Sequence, residues 1–183
     1  MATVESLITA EEFAEMHGIA EPCELIRGEI VVSPPPSFDH GFVCVQIARV
    51  VGNYVAEKRL GRVLSNDSGV VTQRGPDTVR GADVSFYSYA AVPKGERPYP
   101  YPKAPPELVF EVRSPSQTWP EVHAKVAEYL AAGVKVVCVA DSPSQKVVVH
   151  YADKPSVTLS VNDTLSLPEV LGDFSTPINV FFE

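Results

Sequence analysis

Two carboxylates stand where a carboxylate is costly. Glu111 lies late in the apolar run Leu108-Val109-Phe110-Glu111-Val112, and Asp83 lies early in Ala82-Asp83-Val84-Ser85-Phe86-Tyr87. A charge in a buried strand is unfavourable unless something compensates it. One reading brings the pair together around a metal ion, since neighbouring carboxylates raise each other's pKa unless a cation lies between them. Oxygen donors of this kind suit Mg²⁺, which keeps several waters and takes one or two protein carboxylates. Such an ion polarises a phosphodiester and lowers the pKa of a bound water. The other reading leaves Asp83 solvated at a strand rim and pairs Glu111 with Arg113 or Lys125. Paired carboxylates also hydrolyse glycosides, but nothing else in the chain suggests a sugar cleft.

Lys125 belongs to a helix predicted over residues 119–132, on the border of the apolar face made by Val122, Val126, Tyr129 and Leu130. From there its ammonium can reach back toward the carboxylates and offset charge on a phosphoryl transition state. It can equally join a surface ladder with Glu121 and Glu128. His40 falls three residues before Val43, on the inward stripe of a second predicted helix and near its start. An imidazole there is either a hydrogen-bonded core group or a base beside a metal site. Glu24 and Glu29 flank Gly28. Counting along the chain puts them on opposite faces unless the turn resets the count, so a solvated edge is expected for at least one.

The elements that must position these residues follow from pattern. Thr9 and Glu12 form a capping box for a short helix over residues 9–17, closed by Gly18. Residues 23–27 and 29–32 read as a hairpin about Gly28. The long helix runs from Ser37 to Leu60, with Gly61 as its stop and Val43, Ile47, Val50, Val51 and Tyr54 on one stripe. Strands are predicted at 62–65, 69–73, 82–87 and 107–111. Residues 88–106, rich in Pro and Tyr, read as an ordered excursion able to close over a substrate. Thr118 and Glu121 cap the next helix, and the apolar run 134–140 reads as a strand covered on both faces. Short strands follow at 146–151, 157–161 and 178–182. A strand–helix–strand unit over 107–140 implies a parallel pair within a mixed sheet flanked by helices.

The chain has 183 residues, 45% hydrophobic and 21% charged, which fits one domain, residues 1–183, with a proper core. No apolar run is long enough to span a membrane, and Met1–Glu5 lacks the start of a signal peptide, so a cytoplasmic protein is expected. Cys23, Cys44 and Cys138 have no metal-type spacing and read as buried thiols. The net charge of −8 argues against strong non-specific attraction to nucleic acid, although a bound cation offsets an acidic site locally.

Taken in order, Glu24-Leu-Ile-Arg-Gly-Glu29, Pro34-Pro-Pro-Ser-Phe-Asp-His40-Gly41, Asp83, Glu111-Val-Arg-Ser-Pro-Ser116 and Lys125-Val-Ala-Glu-Tyr129-Leu-Ala-Ala-Gly133 resemble the Uma2 family. That family, frequent in cyanobacteria and other bacteria, is placed in the PD-(D/E)xK, or restriction-endonuclease-like, superfamily. The resemblance covers nearly the whole chain. It implies an α/β (α+β) fold: a three-layer core with a central mixed β-sheet flanked by helices, plus an N-terminal helix and hairpin and C-terminal strands. It also implies a Mg²⁺- or Mn²⁺-dependent endonuclease acting on DNA. Asp83 and Glu111 would be the signature acids and catalytic metal ligands, with the Val112 carbonyl as a further ligand. Two departures stand out. Ala82 replaces the proline before the aspartate, and Arg113 replaces the lysine two residues after the glutamate. Lys125 would supply that lysine from the following helix, and His40 would complete the catalytic set. The alternative is a member that has lost turnover and serves as a dimeric binding or regulatory module. Edge-strand logic at 178–182 favours a homodimer.

Overall fold

The computed structural model describes residues 7–18 and 22–183. Met1–Glu5, read above for a leader, lies outside them. α1 (Ala10–Glu15) starts on the expected capping box: Thr9 accepts from the Glu12 N–H, and the Glu12 carboxylate accepts from the Thr9 N–H. β1 (Cys23–Ile26) and β2 (Glu29–Val32) pair antiparallel across Arg27-Gly28, whose φ values of 52° and 82° make a two-residue turn with both residues left-handed. Such turns match the twist of a hairpin, and glycine takes the second position without cost.

α2 (Phe38–Lys58) is capped by Ser37, whose hydroxyl accepts from the His40 N–H, and it buries Val43, Ile47, Val51 and Val55 at four-residue spacing. It stops at Arg59, in the left-handed region at φ 55°, two residues before the expected Gly61. β3 (Gly61–Gln73) is one strand where two were expected. The interruption is a bulge between Ser65 and Ser68, with Asn66 and Asp67 at positive φ. It pairs along β4 (Thr78–Ser88), which starts four residues earlier than its apolar pattern suggests.

β5 (Leu108–Arg113) leads through α3 (Trp119–Ala131) to β6 (Val136–Asp141), and β5 and β6 are parallel as expected. β7 (Lys146–Tyr151) and β8 (Val157–Ser160) extend the sheet antiparallel. β9 (Thr164–Ser166), α4 (Pro168–Leu171) and β10 (Ser175–Pro177) follow. Among the described residues the main sheet runs β2-β1-β4-β5-β6-β7-β8, with β3 on the other edge of β4. The sheet is therefore mixed but mostly antiparallel. α2 packs on one face with Val84, Phe86, Leu108 and Phe110; α3 packs on the other, Tyr129 and Val126 against Val109 and Val137. This is the three-layer arrangement expected.

The C-terminus departs from expectation. Ile178–Phe181 is a 3-10 turn, and both named residues are fully buried in the α2-side core with Leu165, Leu167 and Leu171. The edge-strand argument for a dimer therefore has no edge strand to act on here.

One feature of the sheet matters most for the site. β4 pairs with β3 along its length, but its other edge is divided. Val79 pairs with Leu25 of β1, and Val84–Phe86 pair with β5. Among the described residues, no strand pairs with Arg80, Gly81, Ala82 or Asp83 on that edge. Ala82 packs on the α3 side and Val84 on the α2 side, so the in-and-out alternation breaks at Asp83.

Candidate active site

Side chains take over where the ladder stops. The next residue pair beyond Val84 and Phe110 would be Asp83 and Glu111, the two acids predicted from sequence. Asp83 Oδ2 accepts from the Val112 N–H at 2.6 Å, and Glu24 accepts from the Gly81 N–H at 3.0 Å. The gap between β1 and β5 is thus closed by carboxylates. Asp83 and Glu111 are both buried, at 7% and 5% exposure, so neither is a solvated rim group.

Each carboxylate has its own surroundings. Glu111 Oε1 accepts from the Tyr129 hydroxyl at 2.8 Å, and Oε2 lies 3.3 Å from Lys125 Nζ. Burial pushes the Glu111 pKa up to about 7, and Asp83 adds to the rise, while Lys125 and Tyr129 oppose it. Lys125 Nζ also lies 2.9 Å from Glu24 Oε1. Burial disfavours the ammonium, but Glu111 and Glu24 outweigh it, and its pKa is raised. The alternative surface ladder does not form. Glu121 caps Thr118, and Glu128 holds Arg80 through two hydrogen bonds.

Glu24, unassigned from sequence, is the hub of this side. Arg80 Nη1 reaches its Oε2 at 2.8 Å, so Arg80 ties β1 to α3 across β4. Glu29 is exposed and takes no part. On the α2 side, His40 Nε2 lies 3.4 Å from Asp83 Oδ1, and Cys44 Sγ lies 3.5 Å from His40 Nδ1. Burial lowers the imidazole pKa, but Asp83, Asp67 and Glu111 together outweigh it, and the net shift is upward.

These groups line one cavity of about 180 Å³: Glu24, Asp67, Asp83, Glu111, Lys125 and His40 inside, with Pro34–Pro36, Ser114, Ser116 and Gln117 at its walls. Asp67 is the residue the sequence reading missed. It sits in the β3 bulge, and Gly81 opposite leaves it room, since a Cβ there would stand 2.9 Å from the Asp67 Cβ. Burial and then Asp83 raise its pKa. Asn66-Asp67 inside an apolar pattern was the available signal, because that pair tolerates a left-handed backbone. Arg113 does not line the cavity. It pairs with Asp141 at 2.7 Å, donates to the Gln117 carbonyl and stacks over Trp119. The 88–106 excursion does not cover it either. Tyr99 donates to Glu15, and Tyr101 packs with Ala10, Leu25 and Val79 around α1. Among the described residues no Phe, Tyr or Trp lines the cavity, which removes the stacking floor a sugar cleft needs.

Four carboxylates thus face one ammonium and one imidazole. Hard oxygen donors with surplus negative charge fit a hard divalent cation. Asp83 and Glu111 line this cavity together and are oxygen donors of that kind.

A family model for Uma2, described as "Putative restriction endonuclease", matches residues 10–180. A crystal structure described as "a putative nuclease belonging to DUF820 from Anabaena variabilis ATCC 29413" is 19% identical in sequence. It aligns over 96% of this chain and 97% of that one, with a TM-score of 0.81. At that identity the likeness speaks for the fold. No curated protein matches the chain.

Proposed function

The chain belongs to the Uma2 family and has a restriction-endonuclease-like fold, and from that premise we propose that it is a divalent-cation-dependent endonuclease acting on DNA. One observation carries the reading: Lys125 Nζ, from α3, lies 3.3 Å from Glu111 Oε2 in the cavity that holds Asp83. That arrangement supports reading Asp83, Glu111 and Lys125 as the two acids and the lysine of the superfamily signature, with the lysine drawn from a different element.

Asp83, Glu111 and the Val112 carbonyl would hold Mg²⁺ or Mn²⁺, which supplies Lewis-acid activation of the phosphodiester and of the attacking water. The chain's own groups do the rest. Lys125 keeps its proton, since Glu111 and Glu24 stabilise the ammonium. It therefore serves as a fixed positive charge and hydrogen-bond donor toward the phosphoryl oxygens, and not as the base. Tyr129 holds Oε1 of Glu111 and so fixes how that carboxylate faces the cavity. Glu24 and Arg80 hold the lysine from behind. His40 presents a proton at Nε2 beside Asp83, available to a phosphate oxygen.

The test is cleavage of supercoiled plasmid and of single-stranded DNA with Mg²⁺ or Mn²⁺, beside Asp83→Ala and Glu111→Ala. Metal-dependent cleavage lost in both variants is expected. Cleavage that survives both substitutions would place the chemistry elsewhere or in a contaminant. A wild-type protein that cuts nothing under any condition would favour the binding or regulatory module, a reading supported by the net charge of −8.

A further inference from the structure

The side of Asp83 facing α2 carries a different chemistry. His40 and Cys44 are four residues apart on α2 and so share one face of that helix. Asp83 meets them from β4. One ligand atom from each of the three lies within 4.8 Å of the others. The thiol is half-buried and in no disulfide, in contrast to Cys138, which is sealed in the core. A second cavity of about 460 Å³ opens onto this trio, lined by His40, Cys44, Asp67 and Asp83 together with Gly41, Val45 and Arg49. The trio is therefore reachable from solvent by a route distinct from the Glu111 side, which that cavity does not include.

We propose that His40, Cys44 and Asp83 form a site for a thiophilic divalent cation of the Zn²⁺ class, and that this site competes with the hard-cation site for Asp83. The competition rests on the nuclease reading above, while the binding itself does not. A nitrogen, a sulfur and an oxygen donor are the set a borderline-soft ion selects, and Mg²⁺ does not take thiol ligands. Zinc bonds of about 2.0–2.3 Å put tetrahedral ligands roughly 3.3–3.8 Å apart, so the trio needs a contraction of about 1.5 Å at most. Three protein ligands leave a fourth position for water. The His40 ring now faces the thiol with Nδ1 and the carboxylate with Nε2, and it gives up one of these contacts on ligation. Cys44 must lose its proton to solvent as the metal–sulfur bond forms, so binding strengthens with rising pH. Hard and soft cations would then hold the same aspartate from opposite sides, one with Glu111 and the other with α2.

Co²⁺ reports such a site by optical spectroscopy, because a thiolate ligand adds a charge-transfer band. Reduced full-length protein titrated with Co²⁺ should develop that band to saturation at one ion per chain, and Zn²⁺ should bleach it. Cys44→Ser and His40→Ala should each abolish it, with folding checked by circular dichroism. Glu111→Gln should retain it. Excess Mg²⁺ should weaken Co²⁺ binding several-fold in the wild type and less in Glu111→Gln. No band in the wild type, or a band that persists in folded Cys44→Ser, would overturn the site. A Co²⁺ affinity indifferent to Mg²⁺ would overturn the sharing of Asp83. The band does not depend on hydrolysis, so a protein that shows it and cuts nothing would sink the nuclease reading and leave this site standing.

Discussion

At the scale of single residues, the account turns on what surrounds Glu111. Its pKa, raised by burial to about 7, means that the folded protein holds a proton there more tightly than the unfolded chain does. The resulting stability is fully present below the ordinary glutamate value and is lost as pH rises through about 7. Glu111→Gln removes that dependence. Thermal unfolding in chelator at about pH 5 and about pH 8 should show wild type losing ground to Glu111→Gln at the higher pH. A difference between the two proteins that is the same at both would contradict the burial of an ionisable Glu111. The same residue shows what was legible in the sequence. An acid within an apolar run announced itself, as did Asp83. Asp67 gave a fainter signal: Asn66-Asp67 hints at a left-handed break, but its role depends on the bulge formed in pairing with β4.

At the scale of elements, the site exists because β4 changes partners. Its free edge at residues 80–83 is closed by Glu24 and Asp83 where strand pairing stops, and Arg80 clamps β1 to α3 by binding Glu24 and Glu128. Removing one partner of a buried ion pair leaves the others uncompensated and costs about 3 kcal/mol or more. Arg80→Met is expected to lose that much in urea unfolding, with a larger loss than Lys58→Met, whose partner Glu57 is exposed. Equal small losses would mean that the clamp is not structural. Sequence pattern recovered α1, α2, α3 and the β5–β6 unit well, because capping boxes and 3.6-residue stripes are local signals. It split β3 at the bulge. It also took the apolar 178–182 segment for a strand, since an apolar run alone does not distinguish a strand from a turn plugged into a core. No local pattern could place Glu24 beside Lys125, because that contact needs β1 brought to β4 and α3 folded back over both.

At the scale of the whole molecule, charge bears on the proposed binding of DNA. The chain carries −8, and the cations at the cavity are already engaged, Lys125 with Glu24 and Glu111. Among the described residues no helix is long and apolar enough to cross a membrane. A phosphate backbone meets this cavity favourably when a divalent cation offsets its acids. Fluorescence anisotropy with labelled DNA should therefore show binding in Ca²⁺ and a loss of at least about tenfold in chelator at the same ionic strength. Binding unaffected by chelation would move the nucleic-acid surface away from the acidic cavity.

The central claim is that Lys125, and not Arg113, supplies the cation of the signature. Arg113 stands at the expected sequence position but is held by Asp141 and Trp119, outside the cavity. The most direct test is the single-turnover rate of Mn²⁺-dependent plasmid nicking by Lys125→Ala and Arg113→Ala at matched folded concentration. The account predicts that Lys125→Ala falls by about 100-fold or more while Arg113→Ala stays within about tenfold of wild type. A nicking rate abolished by Arg113→Ala and spared by Lys125→Ala would contradict it.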